Sequence, residues 1–193
     1  MKLVTDLALT GRPPWPARGP HDPSLVLDFV AGRLTPGGFG QTIQFARATT
    51  ASFHDASGVM QTAAIDQPRI DHDRGTGLVR GLLVENARTN LLLNAATPVT
   101  QTVSVTAALH ALSFRGTGTI TLSGAHSASL TGPGGNARAV LVFTPAAGAL
   151  SLTVSGSVQM AKLEAGNCAT SFIPTAGAPA TRLADRPVAP VGP

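Results

Sequence analysis

The sequence predicts an all-β protein: an antiparallel β-sandwich or jelly roll, preceded by a β-rich N-terminal segment and flanked by extended Pro-rich arms. Three observations lead there. Charged residues make up 12% of the chain, about half the roughly 25% of an ordinary globular protein, too few to give several soluble helices their polar faces. Gly, at 21, and Pro, at 15, are plentiful, and both punctuate turns. Finally, "TVSVT" (102–106), "TITLS" (119–123) and "LSLTVS" (150–155) alternate apolar and hydroxyl residues with period two. That is the signature of a strand with one face in a core and the other in solvent.

Taken in order, residues 1–24 form an arm. "GRPPWPARGPHDPS" holds five prolines in fourteen residues, and each lacks a backbone donor and favours an extended chain. Trp15 sits inside it, with Arg12 and Arg18 on either side. A lone tryptophan in such a setting is the candidate anchor of a subunit contact, with the arginines at its rim; covering the chain's own core is the equal alternative. Residues 25–95 read as a β-rich attachment domain. "LVLDF" (25–29), "TIQFAR" (42–47) and "GLLVE" (81–85) are strand-like, and "TPGGFG" (35–40) is a turn. "ASFHDASGVMQTA" (51–63) is a hairpin turning at Asp55–Gly58, with Gly58 free to take positive φ. "NARTNLLLN" (86–94) has room for one helical turn.

Residues 96–175 are the sandwich. About seven strands fit between the turn signals "GTG", "GPGGN", "PAAG" and "SGS". Alternation places Leu152 in the core and Thr153 in solvent, and the continuously apolar "AVLVF" (139–143) fits a central strand covered on both faces. Residues 176–193 are Pro/Ala-rich and read as an extended tail.

The net charge is +4, and the basic residues fall singly along the chain, as at Arg47, Arg69, Arg80, Arg115 and Arg138. No run of the kind that tracks a phosphate backbone is visible, so nucleic acid is not an expected partner. The single Cys168 rules out an intrachain disulfide and a cysteine-based zinc cluster, and reads as a small, partly buried hydrophobe. No window has the roughly 20 apolar residues of a membrane span, and the N-terminus lacks a signal-peptide core. The expectation is a chain made in a cytoplasm, without membrane insertion.

Candidate chemistry is sparse. Asp71-His72-Asp73 invites a metal reading, but consecutive strand residues alternate faces, and the acidic series stops there. Asp beside "RGTG" fits a turn that caps its own amides. No nucleophile elbow is present. Ser123, His126 and Ser127 have no nearby acid, and the spacing of Gly75, Gly77 and Gly81 is one residue too long for a dinucleotide fingerprint. The reading is therefore not an enzyme, with no catalytic, cofactor-binding or metal residues. Sugar stacking is poorly served too: there is no Tyr, and the sandwich offers only Phe114, Phe143 and Phe172.

Three segments carry a resemblance: "FARATTASFHDASGVMQTAAIDQPRIDHD", "RGLLVENARTNLLLN" and "KLEAGNCATSFIPTAGAPATR". Over about residues 25–183 the chain resembles the head-spike, fibre and base domain proteins of phages and gene transfer agents. Its close, Leu163, Glu164, Gly166, Ala169 through Ser171 and Ile173 through Thr175, also resembles the last strand of carbohydrate-binding-module jelly rolls. The resemblance implies a virion component on the particle surface, with a role in capsid decoration and host attachment. It further implies a homo-oligomer, a pentamer at a capsid vertex or a trimer in a fibre. Capsid and fibre proteins would be its partners. Host polysaccharide would be the ligand on the alternative reading as an adsorption module.

Overall fold

The computed structural model describes residues 26–31, 33–35 and 43–188. Arg12, Trp15 and Arg18, and most of the turn at 35–40, lie outside the described residues. The described chain is all-β. The N-terminal part contributes β1 (Val26–Asp28), β2 (Arg33–Thr35), β3 (Gln44–Ala46), β4 (Ala51–His54), β5 (Met60–Ala63), β6 (Ile70–His72), β7 (Val79–Leu82) and β8 (Arg88–Asn90). The sandwich holds β9 (Gln101–Val105), β10 (His110–Gly116), β11 (Thr119–Gly124), β12 (Ala128–Thr131), β13 (Ala139–Phe143), β14 (Gly148–Ser155) and β15 (Val158–Ala165). Two short strands follow, β16 (Ala180–Arg182) and β17 (Arg186–Val188).

The sandwich packs a four-stranded sheet, in the order β12-β11-β14-β9, on a three-stranded one, β13-β10-β15. All its pairings are antiparallel. This is the winding order of a jelly roll in which the place beside β15 is taken by residues 91–96. There the Leu91 amide donates to the Leu163 carbonyl (2.8 Å) and the Ala161 amide to the Ala95 carbonyl (2.8 Å). Period-two alternation builds the core: Leu112, Phe114 and Leu163 from one sheet meet Ile120, Leu122, Leu150 and Leu152 from the other. A bulge interrupts β15, where Met160 takes a left-handed φ of 52°. Beyond it Lys162 and Glu164 pair with Ser113 and Ala111 of β10, and all four are fully buried under the returning chain.

The N-terminal part is a set of two-stranded ribbons: β1-β2, β4-β5 and β6-β7. In the β4-β5 turn the Gly58 amide donates to the Asp55 carbonyl. Gly58 has φ 71° and packs on the Arg74 carbonyl, where a side chain would collide.

The C-terminal segment is extended but not free. β17 pairs with β3, β16 pairs with β8, and Asn94 bridges Ala176. These nested antiparallel pairings form a stem from which the jelly roll projects.

Three local expectations change. Residues 86–94 contain no helical turn, because Asn90 ties the segment sideways. Its side-chain amide donates to the Ile173 carbonyl (2.9 Å) and its oxygen accepts the Leu163 amide (3.1 Å). "AVLVF" is an edge strand, with Val140 and Val142 46% and 42% exposed; the central position goes to β10, whose run "HALSF" is buried throughout. Cys168 is exposed, because the chain turns away from the sheet after Gly166. Gly166, at φ 145°, lies against the Arg88 guanidinium, which leaves no room for a side chain.

Leu152, 1% exposed, and Thr153, on the solvent face, test this frame. Leu152→Asp buries an unpaired charge worth several kcal/mol, so thermal melting should show loss of the cooperative transition. Thr153→Asp should stay within about 0.5 kcal/mol of the parent.

Candidate functional site

Three features stand out once the fold is in place: a buried ionic interlock, an exposed hydroxyl face and an open cleft. The interlock joins the ribbons, the stem and the roll. Arg47, Arg69 and Arg182 are among the largest fully buried side chains in the described chain. Arg47 reaches Asp185 (2.9 Å) and donates to the carbonyls of Thr49 and Ala64. Arg69 forms ion pairs with Glu85 (3.0 Å) and Asp185, and donates to the Ser52 carbonyl and the Ser171 hydroxyl. Arg182 lies 3.4 Å from Glu85 and donates to the Asn86 carbonyl. Glu85 accepts both the amide (2.7 Å) and the hydroxyl (2.6 Å) of Ser171.

A second pair lies one residue back along the chain. Lys162 and Glu164, both fully buried, are 2.7 Å apart. Thr170 closes the pair: its hydroxyl donates to Glu164 and accepts from Lys162, and its amide donates to Glu164. Arg138 donates to the Ser113 hydroxyl and the Thr170 carbonyl. The short run Thr170-Ser171 thus bridges two buried charge groups. Paired charges can be held in an interior where lone ones cannot, and here the pairing holds although Arg69 Nε and Arg182 Nε are buried without a hydrogen-bond partner. The arrangement holds three parts of the chain in one register.

The electrostatics agree. Burial alone would push the Glu85 carboxyl up, but the Ser171 hydrogen bonds, with Arg182 and Arg69, outweigh it and hold it below its ordinary value. Burial pushes the Lys162 amine down to about 8, against the pull of Glu164.

The residues that raised the metal question have separate tasks. Asp71 accepts the His54 amide (2.8 Å). Asp73 lies in the β6-β7 turn and caps the amides of Gly75 and Thr76 and the Thr76 hydroxyl, while its other oxygen takes Arg80. These bonds, the Thr76 amide first and then Arg80, hold the Asp73 carboxyl at about 2.

The second feature is the outer face of the four-stranded sheet. Register places Thr131, Thr119 and Ser155 in one row, Ser129, Thr121 and Thr153 in the next, and Ser123, Ser151 and Thr102 in a third. Ser104 and Ala149 complete the face, so every outward position but Ala149 carries a hydroxyl. Some pair across strands, as Thr102 with Ser151 (3.0 Å) and Thr119 with Thr131 (3.0 Å). The face is uncharged and has no aromatic side chain. Phe114 and Phe143 are core residues, Phe143 carrying the stacked ring of His126 at 4.5 Å.

The third feature is a cleft of about 300 Å³ between the β4-β5 ribbon and the stem, lined by Thr49, Met60, Thr62, Phe172 and Thr181 among others. Sequence reasoning missed the interlock. Its acids and bases are far apart in sequence, and the only local signal was the density of Glu, Arg and Asn in 80–94.

The interlock should be measurable. Glu85→Gln leaves Arg69 and Arg182 short of a carboxylate and should cost about 3–5 kcal/mol. Because the folded Glu85 value is depressed, its contribution is present above the unfolded value of about 4.3 and lost as pH falls through the folded one. Melting of the variant should therefore depend less on pH below about 5 than melting of the parent. Lys162 acts at the other end. Its unfolded value of about 10.4 exceeds the folded one, so the unfolded chain holds the proton longer. Stability from this group rises with pH between about 8 and 10. Calorimetry of Lys162→Met should show that rise removed.

No protein-family model, curated protein or solved structure matches the chain.

Proposed function

We propose that the protein is a structural component of a phage-like particle, a head-spike base or fibre module that decorates the capsid and takes part in host attachment. One observation carries the reading: several residues behind the resemblance to spike proteins take part in the interlock and the stem. Glu85, Arg88 and Asn90 in the first motif, and Glu164, Thr170 and Ser171 in the second, hold strands and charges in place. A signature made of architectural residues fits a building block better than an enzyme. The surface fits as well. A chain with 12% charge leaves Val84, Leu183 and Val188 exposed by 48%, 42% and 55% on or beside the stem, and subunit contacts would cover such side chains.

In this reading the protein works as a homo-oligomer on the particle surface after synthesis in a bacterial cytoplasm, a pentamer at a vertex or a trimer in a fibre. The arm with Trp15, Arg12 and Arg18 would cross a neighbouring subunit at little ordering cost, because proline has already lost backbone freedom. Mass spectrometry of purified particles should detect the protein, and its absence there would end the reading. Light scattering should show the full chain as an oligomer at micromolar concentration, and removal of residues 1–24 should weaken it.

A second reading, an adsorption module for host polysaccharide, is favoured by the hydroxyl face. A flat, uncharged array of donors and acceptors could meet a neutral glycan without ring stacking, each net hydrogen bond being worth about 1 kcal/mol. Thr121→Lys with Thr153→Lys should then abolish retention on a glycan array while leaving oligomer size unchanged.

A further inference from the structure

The arginines that fall singly along the sequence are brought together where the ribbon tips meet one end of the roll. Arg74 and Arg80 belong to the β6-β7 ribbon, Arg115 to the end of β10, and His54 to the end of β4. The loops that carry them are in contact. Gly75 lies against Asn136, whose side chain would be 3.6 Å from a Cβ placed there, and the Asn136 carbonyl accepts from Arg115. Gly58, beyond His54, packs on the Arg74 carbonyl.

The nearby acids are already occupied. Asp73 caps its own turn and takes Arg80 (2.5 Å). Asp71 accepts the His54 amide and stands 3.7 Å from His54 Nδ1, beyond hydrogen-bond distance. That leaves three unused donors. Among the described residues the Arg74 side chain has no hydrogen bond or ion pair, and Arg115 has only the Asn136 carbonyl. His54 Nε2 is buried without a partner. The excess of positive charge is felt locally. Burial, then Arg74, Arg138 and Arg80, pushes Arg115 down to about 10. Burial, aided by Arg115, Arg74 and Arg80 and opposed by Asp71, holds His54 below its ordinary value.

We propose that Arg74 and Arg115, beside His54, form a binding site for an oxyanion: a sulfate, a phosphate or a carboxylate. Guanidinium groups match such planar or tetrahedral oxygens with paired, charge-assisted hydrogen bonds. The same chemistry serves a free inorganic ion and the acidic groups of a surface polymer. The site does not depend on the particle reading.

The test uses the full chain at constant ionic strength, so that screening does not change during titration. One arm adds sodium sulfate or sodium phosphate; the other adds polygalacturonate or a sulfated polysaccharide. Binding is read from the ¹⁵N shift of His54 Nε2 and from the melting temperature. Arg74→Ala removes no hydrogen bond or ion pair of the described fold and should weaken binding about tenfold, the effect of one charge-assisted contact. Arg115→Gln should do the same. Arg186→Ala, on exposed β17, is the control and should change nothing. Saturation by the free ions with this pattern supports a small-ion site, and saturation by polymer alone with this pattern supports an acidic-polymer site. Absence of saturable binding in both arms would overturn the proposal. So would equal loss in Arg74→Ala and Arg186→Ala, which would mean unspecific charge attraction.

Discussion

The structure depends on taking five charges out of water together. Arg47, Arg69 and Arg182 carry three positive charges, and Glu85 and Asp185 two negative ones. Asp185 alone touches Arg47 and Arg69 and accepts the Glu85 amide (2.8 Å). Moving each ion into an interior costs several kcal/mol even after relaxation, so no partner can be removed without stranding another. The jelly roll has an apolar core of its own, and among the described residues the ribbons add only small buried side chains such as Ala51 and Ala63. A two-stranded ribbon is marginal in water by itself. Arg47 follows β3, Arg69 precedes β6, and Asp185 sits between β16 and β17, so the charges supply the cohesion that apolar burial does not. Apolar replacements could give equal stability, as buried ion pairs often allow. They could not reproduce the geometry, because each guanidinium also fixes a carbonyl of a particular strand.

How much of this was legible follows from the range of each interaction. The sandwich strands could be read because alternation is local: Leu150, Leu152 and Val154 announce their face within five residues. The β4-β5 turn could be read because Asp55 and Gly58 make their own local bonds. The interlock could not, because Arg69 and Asp185 are 116 positions apart and nothing in either neighbourhood names the other. The composition of 176–193 suggested an extended tail, and the described part is extended. What composition could not show is that Arg182 and Asp185 are buried, since neither carries a local mark of it. "AVLVF" misled for a related reason. A run of apolar β-formers marks a strand, but whether it lies at the centre or the edge is set by strand order, which is a property of the whole sheet.

The same contrast separates the two surfaces of the roll. The outer face of β10 and β15 holds Ser113, Lys162 and Glu164, all fully buried, because the returning chain at Thr170-Ser171 crosses over it. The outer face of β11 and β14 holds hydroxyls and stays open. One sheet is therefore committed to attachment within the chain, and the other is left for whatever lies outside it. Hydroxyls suit an open face, because they are solvated without the self-repulsion of like charges and without the aggregation risk of an apolar sheet.

Nesting fixes how the roll is carried. β3 pairs with β17, β8 with β16, and Asn94 with Ala176, so the chain enters and leaves the roll side by side. A force pulling on the roll would load both sides of this stem at once, in the direction of its strands. Behind them lie Glu85, with Ser171 and Arg182, and Asn90, with Leu163 and Ile173, which tie the stem to β15 and to the ribbons. The buried charges therefore lie where the roll joins its base.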